Sequence, residues 1–98
     1  MNIRQQQAAL FQALGNPVRL QILEILSQAP RCVCDLVTLT GKRQPCVSQN
    51  LAILREVGLV RTSQQGKKMI YHINVTTVIE LNRLISTLSP STSKILLN

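Results

Sequence analysis

The amino-acid sequence predicts a mainly helical fold with one small β-hairpin, in the order α-α-α-α-β-β-α. Apolar residues recur every three or four positions through most of the 98 residues, which is the period of a helix. Glycine and proline stand where helices are expected to begin and end. Between residues 59 and 73 the pattern changes to alternating apolar and polar residues, which is the period of a β-strand.

The length of the chain is typical of one small domain. We expect residues 1–98 to form a single domain, since the sequence shows no internal repeat and no interdomain linker. Residues 89–98 are predicted to be a loose C-terminal tail. A domain of this size buries a limited core and gains stability from a partner subunit.

The first two helices are predicted from the residues at their ends. Residues 3–14 form the first helix, and Gly15 ends it. Asn16 then caps the second helix, with Pro17 at the first helical position, where the missing N–H costs nothing. Pro30 stops the second helix.

Two further helices follow, separated by a tight polar turn. Residues 33–40 form a short third helix that ends at Gly41. Lys42-Arg43-Gln44 forms the turn, and residues 45–57 form the fourth helix, with Gly58 placed to cap its C-terminus. Two helices joined by a short turn are typical of a helix-turn-helix.

The hairpin and the last helix complete the pattern. Strands are predicted at residues 59–63 and 69–73 with a turn at 64–68, followed by a helix over 76–88. A two-stranded hairpin is not stable alone, so it must pack on the helices. This is the order of a winged helix-turn-helix. The first and last helices carry more apolar surface than one small core needs, which predicts that they pair across a two-fold axis in a homodimer.

Composition narrows the class of function. Eleven Lys and Arg against four Asp and Glu give a net charge of +7, which favours a phosphate-rich partner. Aromatic residues are only 2%, so a base-stacking RNA surface is not expected. The sequence has no apolar run of ~20 residues and no secretory signal pattern, so we expect a cytoplasmic protein with no membrane partner. In that reducing compartment three cysteines are not expected to form a disulfide framework.

The fourth helix carries the residues expected to meet double-stranded DNA. Gln and Asn can form paired hydrogen bonds with adenine, and Ser can contact base or phosphate. The turn lies at the helix end that usually enters the major groove, and the lysines of the hairpin tip would reach phosphate or the minor groove. An ordinary solvated helix face is the alternative interpretation. The predicted contacts are Lys42, Arg43, Gln44, Ser48, Gln49, Asn50, Arg55, Lys67 and Lys68.

Four segments of the chain share a known pattern: FQALGNPVRLQIL at 11–23, QPCVSQNL at 44–51, LREVGLV at 54–60 and GKKMIYHI at 66–73. They resemble the opening signature, the recognition helix, the exit from that helix and the wing of the ArsR/SmtB family of metal-responsive repressors. The resemblance implies a homodimer that binds an imperfect palindrome in operator DNA and represses transcription until a ligand arrives. Asn50 departs from the His of many members, which alters the expected base preference and not the fold.

Cys32 and Cys34 stand at the start of the third helix, next to Arg31. Thiolates rather than thiols bind metal, and the N–H groups of a helix N-terminus favour negative charge. On a regular helix, side chains two residues apart point ~200° away from each other. We therefore expect the pair to straddle a non-helical first turn, or to distort it, in order to share one ion. Such a distortion would move the helix before the recognition helix, which is a physical route to DNA release.

The motif CVCDL at 32–36 resembles the sensing motif of the family's arsenite and antimonite repressors, and of its cadmium and lead sensors. The resemblance implies As(III) or Sb(III) as the inducer, with Cd(II) or Pb(II) less favoured, and no permanent cofactor. The position of the third cysteine of many arsenite repressors is Val37 here, and the N-terminal arm has none of the cysteines that complete the cadmium site. Cys46 lies on the order of 12 Å from Cys34 along the third helix, so we do not expect it to complete the site in an undistorted fold. A distorted fold leaves Cys46 open as a further metal ligand.

Other functions stay open or are disfavoured. A redox or reactive-sulfur sensor would oxidise Cys32 or Cys34, although a Cys-x-Cys bridge closes a very small ring. A constitutive DNA-binding protein would carry inert, packed cysteines. An enzyme is not expected, because the thiol oxidoreductase motif Cys-x-x-Cys is missing. His72 is expected to be structural, and the last helix offers only Glu80 as a metal ligand, so a zinc, cobalt or nickel site there is not expected.

Overall fold

The computed structural model describes residues 2–88, and the predicted tail at 89–98 lies outside the described residues. In residues 2–88 no helix is long and apolar enough to cross a membrane. The described elements are α1 (Ile3–Leu14), α2 (Pro17–Gln28), β1 (Arg31–Cys32), α3 (Val33–Thr40), α4 (Gln44–Glu56), β2 (Val60–Gln65), β3 (Lys68–Ile73) and α5 (Val75–Leu88).

The helices begin and end close to their predicted positions. The Asn16 Oδ1 atom accepts hydrogen bonds from the N–H groups of Val18 and Arg19 at 2.9 and 3.1 Å, so the predicted cap of α2 is confirmed. The predicted ranges of α1 and α3 are confirmed, and α3 ends at Gly41 in the left-handed conformation. α4 begins and ends one residue earlier than predicted, and α5 begins one residue earlier.

Gly58 directs the chain from α4 into β2. Its φ of +82° lies in the left-handed region that favours glycine. The Gly58 N–H donates to the Arg55 carbonyl at 3.0 Å, and the Leu59 N–H donates to the Leu54 carbonyl at 2.9 Å. This pair of bonds is a Schellman motif, which satisfies the last carbonyls of the helix and fixes its exit direction.

The sheet has three antiparallel strands in the order β1-β3-β2, whereas the sequence predicted two. The added strand β1 pairs Arg31 with Tyr71 and Cys32 with Ile70. The predicted five-residue turn of the hairpin is too long, because Gln65 already pairs with Lys68. Only Gly66 and Lys67 connect the two strands. With four helices, a hairpin and a last helix in sequence, the predicted winged helix-turn-helix is confirmed.

The core is aliphatic, as the low aromatic content predicted. It lies between α2, α3, α4 and the start of β2, and one residue of α5, Leu81, is buried in it. The side chains with least exposure are Ile22, Leu36, Val47, Leu51, Leu54 and Leu59.

Large apolar side chains are exposed on α1 and α5. Phe11 of α1 is 41% exposed and Ile79 of α5 is 51% exposed, whereas the core side chains are at most 7% exposed. The others on these two helices are Ile3, Val75, Val78, Ile85 and Leu88.

Candidate nucleic-acid interface and thiol site

α4 has one buried face and one exposed face. Val47, Leu51 and Leu54 are fully buried, which anchors the helix on the core. At 100° per residue, the opposite stripe runs along positions 45, 49, 52 and 56, and all four residues are exposed. Of the predicted contacts, Gln49 lies on this stripe, and Gln44, Ser48 and Arg55 are exposed on one flank of it.

Asn50 differs from the other predicted DNA contacts because it is half-buried and bonded inside the protein. It lies two residues after Ser48, hence ~200° around the helix from that exposed side chain. Its Nδ2 donates to the Cys46 carbonyl at 2.9 Å and lies 3.6 Å from the Cys46 Sγ. Its Oδ1 accepts a hydrogen bond from Arg19. The amide that was expected to pair with adenine is therefore used within the fold.

Arg19 is a residue that the sequence reasoning missed. Its Nε donates to the Ala13 carbonyl at 2.6 Å and its Nη1 donates to the Asn50 Oδ1 at 3.0 Å. One guanidinium thus joins α1, α2 and α4. The sequence carries no signal for this link, since Arg19 stands in the first turn of α2 and its partners are distant in the chain.

The predicted basic contacts lie at two exposed points. Lys42 and Arg43 precede α4 and are exposed. Arg43 is the N-cap residue of α4, but its side chain makes no capping hydrogen bond. Lys67 and Lys68 lie at the β2–β3 turn, where Gly66 has a φ of +60°. Since no acidic residue stands in the first turn of α4, the positive end of its dipole is available to an anion.

Cys32 lies outside the regular helix and Cys34 lies inside it. Cys32 is the N-cap of α3, with an extended backbone at φ −83° and ψ 168°. Val33 already belongs to the helix, so the pair spans the start of α3, and the expected non-helical first turn is not seen. Cys32 is only 6% exposed, whereas Cys34 is exposed, so a ligand reaches the pair from the Cys34 side.

The structure joins Cys32 and Cys34 as a disulfide, with their Cα atoms 5.4 Å apart. The expectation that a Cys-x-Cys pair does not bridge is wrong for this structure. The physical reason is the extended backbone of Cys32, which turns its side chain back over the first turn of α3. A Cα separation of 5.4 Å lies within the ordinary range for disulfides.

The carboxylate of Asp35 lies close to the two sulfurs. The ligand atoms of Cys32, Cys34 and Asp35 all lie within 4.8 Å of one another. Asp35 was not among the predicted ligands, although it stands next to Cys34 in the sequence. Cys46 is a half-buried free thiol outside this group. In the reduced state two thiolates and a carboxylate suit a thiophilic ion, because soft sulfur ligands select such ions.

The thiol site is also tied to the wing. Cys32 and Arg31 form β1, which pairs with Ile70 and Tyr71 of β3. The Arg31 Nε is buried and has no hydrogen-bond partner in the described part of the chain. A change at Cys32 can therefore reach the wing through the sheet as well as α4 through α3.

His72 has a structural environment. It is half-buried, and its Nε2 lies 2.7 Å from the Ser63 Oγ on the neighbouring strand. In residues 2–88 it is not part of a group of metal-ligating side chains.

Comparison with known proteins identifies the family. The model of the family "Bacterial regulatory protein, arsR family" matches residues 16–62, from the cap of α2 into β2. An HTH-type transcriptional regulator of Methanocaldococcus jannaschii is 35% identical over 82 residues, which cover 83% of this chain and 92% of that protein. The chain belongs to the arsR family.

Two other members of the arsR family are longer than the matched region. The arsenical resistance operon repressor of Escherichia coli is 42% identical over 66 residues, covering 66% of this chain and 56% of the repressor. The regulator NmtR of Mycobacterium tuberculosis is 40% identical over 76 residues, covering 78% of this chain and 63% of NmtR.

Solved structures of related regulators share the fold. Reduced HlyU from Vibrio cholerae superposes with a TM-score of 0.71 at 32% identity, over 87% of this chain and 90% of HlyU. The homodimeric winged helix-turn-helix DNA-binding domain of a possible ArsR-family regulator from Mycobacterium bovis has a TM-score of 0.74 at 32% identity, over 96% of this chain and 84% of that domain. An ArsR-like regulator from Rhodococcus reaches 0.83 at 21% identity, over 96% of this chain and 89% of that chain, a likeness of fold alone.

Membership of the arsR family defines the class of function. Its members are DNA-binding transcriptional regulators with a winged helix-turn-helix, so this chain is a regulator and not an enzyme.

Proposed function

We propose that this chain is a transcriptional repressor that binds palindromic operator DNA as a homodimer and releases it when As(III) or Sb(III) binds Cys32 and Cys34. The observation that carries the proposal is the meeting of the two sulfurs at the start of α3, the helix that packs against α4. Sulfur ligands suit these ions, and the site lies in the element next to the proposed recognition helix.

The exposed surface of α4 is the proposed base-reading surface. Ser48 and Gln49 are exposed near the N-terminal end of this helix, the end that enters the major groove in helix-turn-helix proteins. Gln44 and Arg55 are exposed on the same flank as Ser48, Lys42 and Arg43 precede the helix, and Lys67 and Lys68 at the wing are proposed phosphate contacts. In this proposal Asn50 positions α4 through its hydrogen bond with Arg19 and does not contact DNA directly.

The exposed apolar residues of α1 and α5 are the proposed dimer interface. A homodimer is supported by these faces, since burying Phe11 and Ile79 removes apolar area from water. The homodimeric relative from Mycobacterium bovis supports the same assembly. Two copies of α4 related by a two-fold axis would meet two half-sites of a palindrome.

Ligand binding is proposed to act on both DNA-contacting elements. Closing an ion between Cys32 and Cys34 constrains the first turn of α3, and α3 packs against α4. Cys32 also belongs to β1, so the same event acts on β3 and the wing. A coupling free energy of about 1–3 kcal/mol between ligand and DNA is enough for a useful switch.

The test compares cysteine variants bound to operator DNA. Fluorescence anisotropy of the reduced protein on its own promoter is followed during titration with sodium arsenite. Release is expected for the wild type and for Cys46→Ser, and is expected to be lost in Cys32→Ser, Cys34→Ser and the double variant. Release that persists in the double variant overturns the proposed site, provided that all variants bind DNA equally before arsenite is added.

A redox sensor is the second candidate, and the Cys32–Cys34 disulfide favours it. In this case the two thiols lose two electrons and two protons to an oxidant such as a peroxide or a persulfide, and a sulfur–sulfur bond forms. DNA release by the oxidant alone, reversed by dithiothreitol, would support this function. Cd(II) and Pb(II) are further ligands to include in the titration, since two thiolates also bind them.

A further inference from the structure

We propose that the Asp35 carboxylate is the third donor of the thiol site, so that reduced protein holds As(III) through two sulfurs and one oxygen. The inference rests on the proposed function, since it concerns the ligand set of the same site. It assigns a ligand role to a residue that the cysteine pattern alone does not single out.

The ligand atoms of Asp35, Cys32 and Cys34 lie within 4.8 Å of one another. Asp35 is the third residue of α3, and its backbone N–H donates to the Sγ of the N-cap Cys32 at 3.4 Å. The same distances place the carboxylate on the side of the first turn where the sulfurs meet.

The Asp35 carboxylate is free to bind an ion. Asp35 is exposed, and within residues 2–88 its side chain makes no hydrogen bond or ion pair. Ion binding would then not require an existing interaction of this group to be broken.

Other candidate donors in the described part of the chain lie away from the two sulfurs or lack a donor atom. The side chain at position 37 is valine, which has no donor atom. Cys46 lies outside the group, with its Sγ next to the Asn50 amide. His72 is bonded to Ser63 in the wing. Asp35 is thus the residue available to add to the cysteine pair.

The chemistry balances without oxidation or reduction. Neutral arsenite is As(OH)₃. Each of the two thiols transfers its proton to one arsenic-bound hydroxyl, two water molecules leave, and two As–S bonds form. The Asp35 carboxylate then displaces the third hydroxyl, which leaves as hydroxide, and arsenic stays in the +3 state throughout.

The test uses two arsenicals that differ in the third position. Sodium arsenite has three exchangeable positions. In phenylarsine oxide the phenyl carbon occupies one position, so two thiols complete its binding and no third protein donor is used. Affinities of both probes are measured on full-length reduced protein by the ultraviolet absorption of the As–S bonds. The variants are Asp35→Asn, the carboxylate-retaining Asp35→Glu, and Glu24→Gln, which removes an exposed carboxylate from α2.

Asp35→Asn is expected to weaken arsenite binding by about tenfold or more, since even groups that only support metal ligands contribute 10–100-fold. Its affinity for phenylarsine oxide is expected to match that of the wild type. Asp35→Glu should recover part of the arsenite affinity, and Glu24→Gln should change neither affinity. An unchanged arsenite affinity in Asp35→Asn, or an equal loss for both probes, overturns the third-donor role and leaves the cysteine site intact. If wild-type protein binds neither probe, the proposed function itself fails.

Discussion

Asn50 and Gln49 are neighbours in the chain with different roles in α4. Gln49 is exposed, whereas the half-buried Asn50 is bonded to Arg19 and to the Cys46 carbonyl. If the part-buried Arg19 guanidinium loses this acceptor, the protein is destabilised, because water does not fully replace the lost hydrogen bond. Asn50 therefore contributes first to stability, and Gln49 is free to contribute to DNA recognition.

Alanine substitutions at these two positions separate the roles. Asn50→Ala is expected to lower the free energy of unfolding by about 1–3 kcal/mol, because the Arg19 Nη1 is left without its acceptor. Gln49→Ala should change stability by less than about 0.5 kcal/mol. It should weaken operator binding by about 1–3 kcal/mol if it pairs with a base. Urea denaturation and operator anisotropy measure the two quantities, and equal losses of stability in both variants would contradict this assignment.

The roles of some residues could be predicted from the sequence, and those of others could not. The cysteine pair was found because spacing alone brings the two residues to one helix start. Asn50 was assigned to DNA because it lies between core positions, but the angular position on a helix places it opposite Ser48. Arg19 and Asp35 were missed, since their roles depend on which distant or flanking atoms they meet in three dimensions.

At the scale of elements, the helix boundaries were predictable and the third strand was not. Asn16, Pro17, Gly41 and Gly58 each carry a local conformational preference that marks a helix end. β1 has only two residues, so it shows no alternation, and its partner strand lies about 40 residues further along the chain. The link between the thiol site and the wing is for this reason visible only in the structure.

Gly58 ends α4 in a left-handed conformation, which a substitution can test. Gly58→Ala is expected to cost about 1–2 kcal/mol of unfolding free energy, because its φ of +82° is unfavourable for a residue with a Cβ atom. Operator affinity should also fall, since Gly58 fixes the direction from the recognition helix to the wing. The matched control is Gly15→Ala at the end of α1, where φ is −82° and a Cβ meets only ordinary contacts. Urea denaturation that shows equal losses in both variants would argue against the strain at Gly58.

At the scale of the whole molecule, the exposed apolar faces of α1 and α5 are the basis of the proposed homodimer. Sequence reasoning predicted an excess of apolar residues on the first and last helices, and Phe11 and Ile79 are exposed accordingly. The sequence could not define the contacts of the two-fold interface, because these depend on how two copies pack.

Charged substitutions test the proposed interface. Phe11→Glu and Ile79→Glu are each expected to convert the dimer to a monomer, because a buried unpaired carboxylate is strongly disfavoured at an apolar interface. Operator affinity should fall in parallel, since a monomer meets one half-site. Met69→Glu on the wing, where Met69 is 41% exposed, is the control for the added charge in the measurement of oligomeric state alone, because it lies next to the proposed phosphate contacts Lys67 and Lys68. Sedimentation velocity that shows wild-type dimers for both helix variants would place the interface elsewhere.

In the proposed function, ligand binding at the thiol site and operator binding at α4 and the wing are linked by one coupling free energy. The most direct measurement is the arsenite affinity of the reduced protein, free and in complex with its operator. Linkage requires that a ligand which weakens DNA binding is itself bound more weakly on DNA, by the same factor. We expect the arsenite affinity to be about tenfold or more weaker in the complex. The factor should equal the factor by which arsenite weakens operator binding. Equal arsenite affinities with and without operator DNA would contradict it.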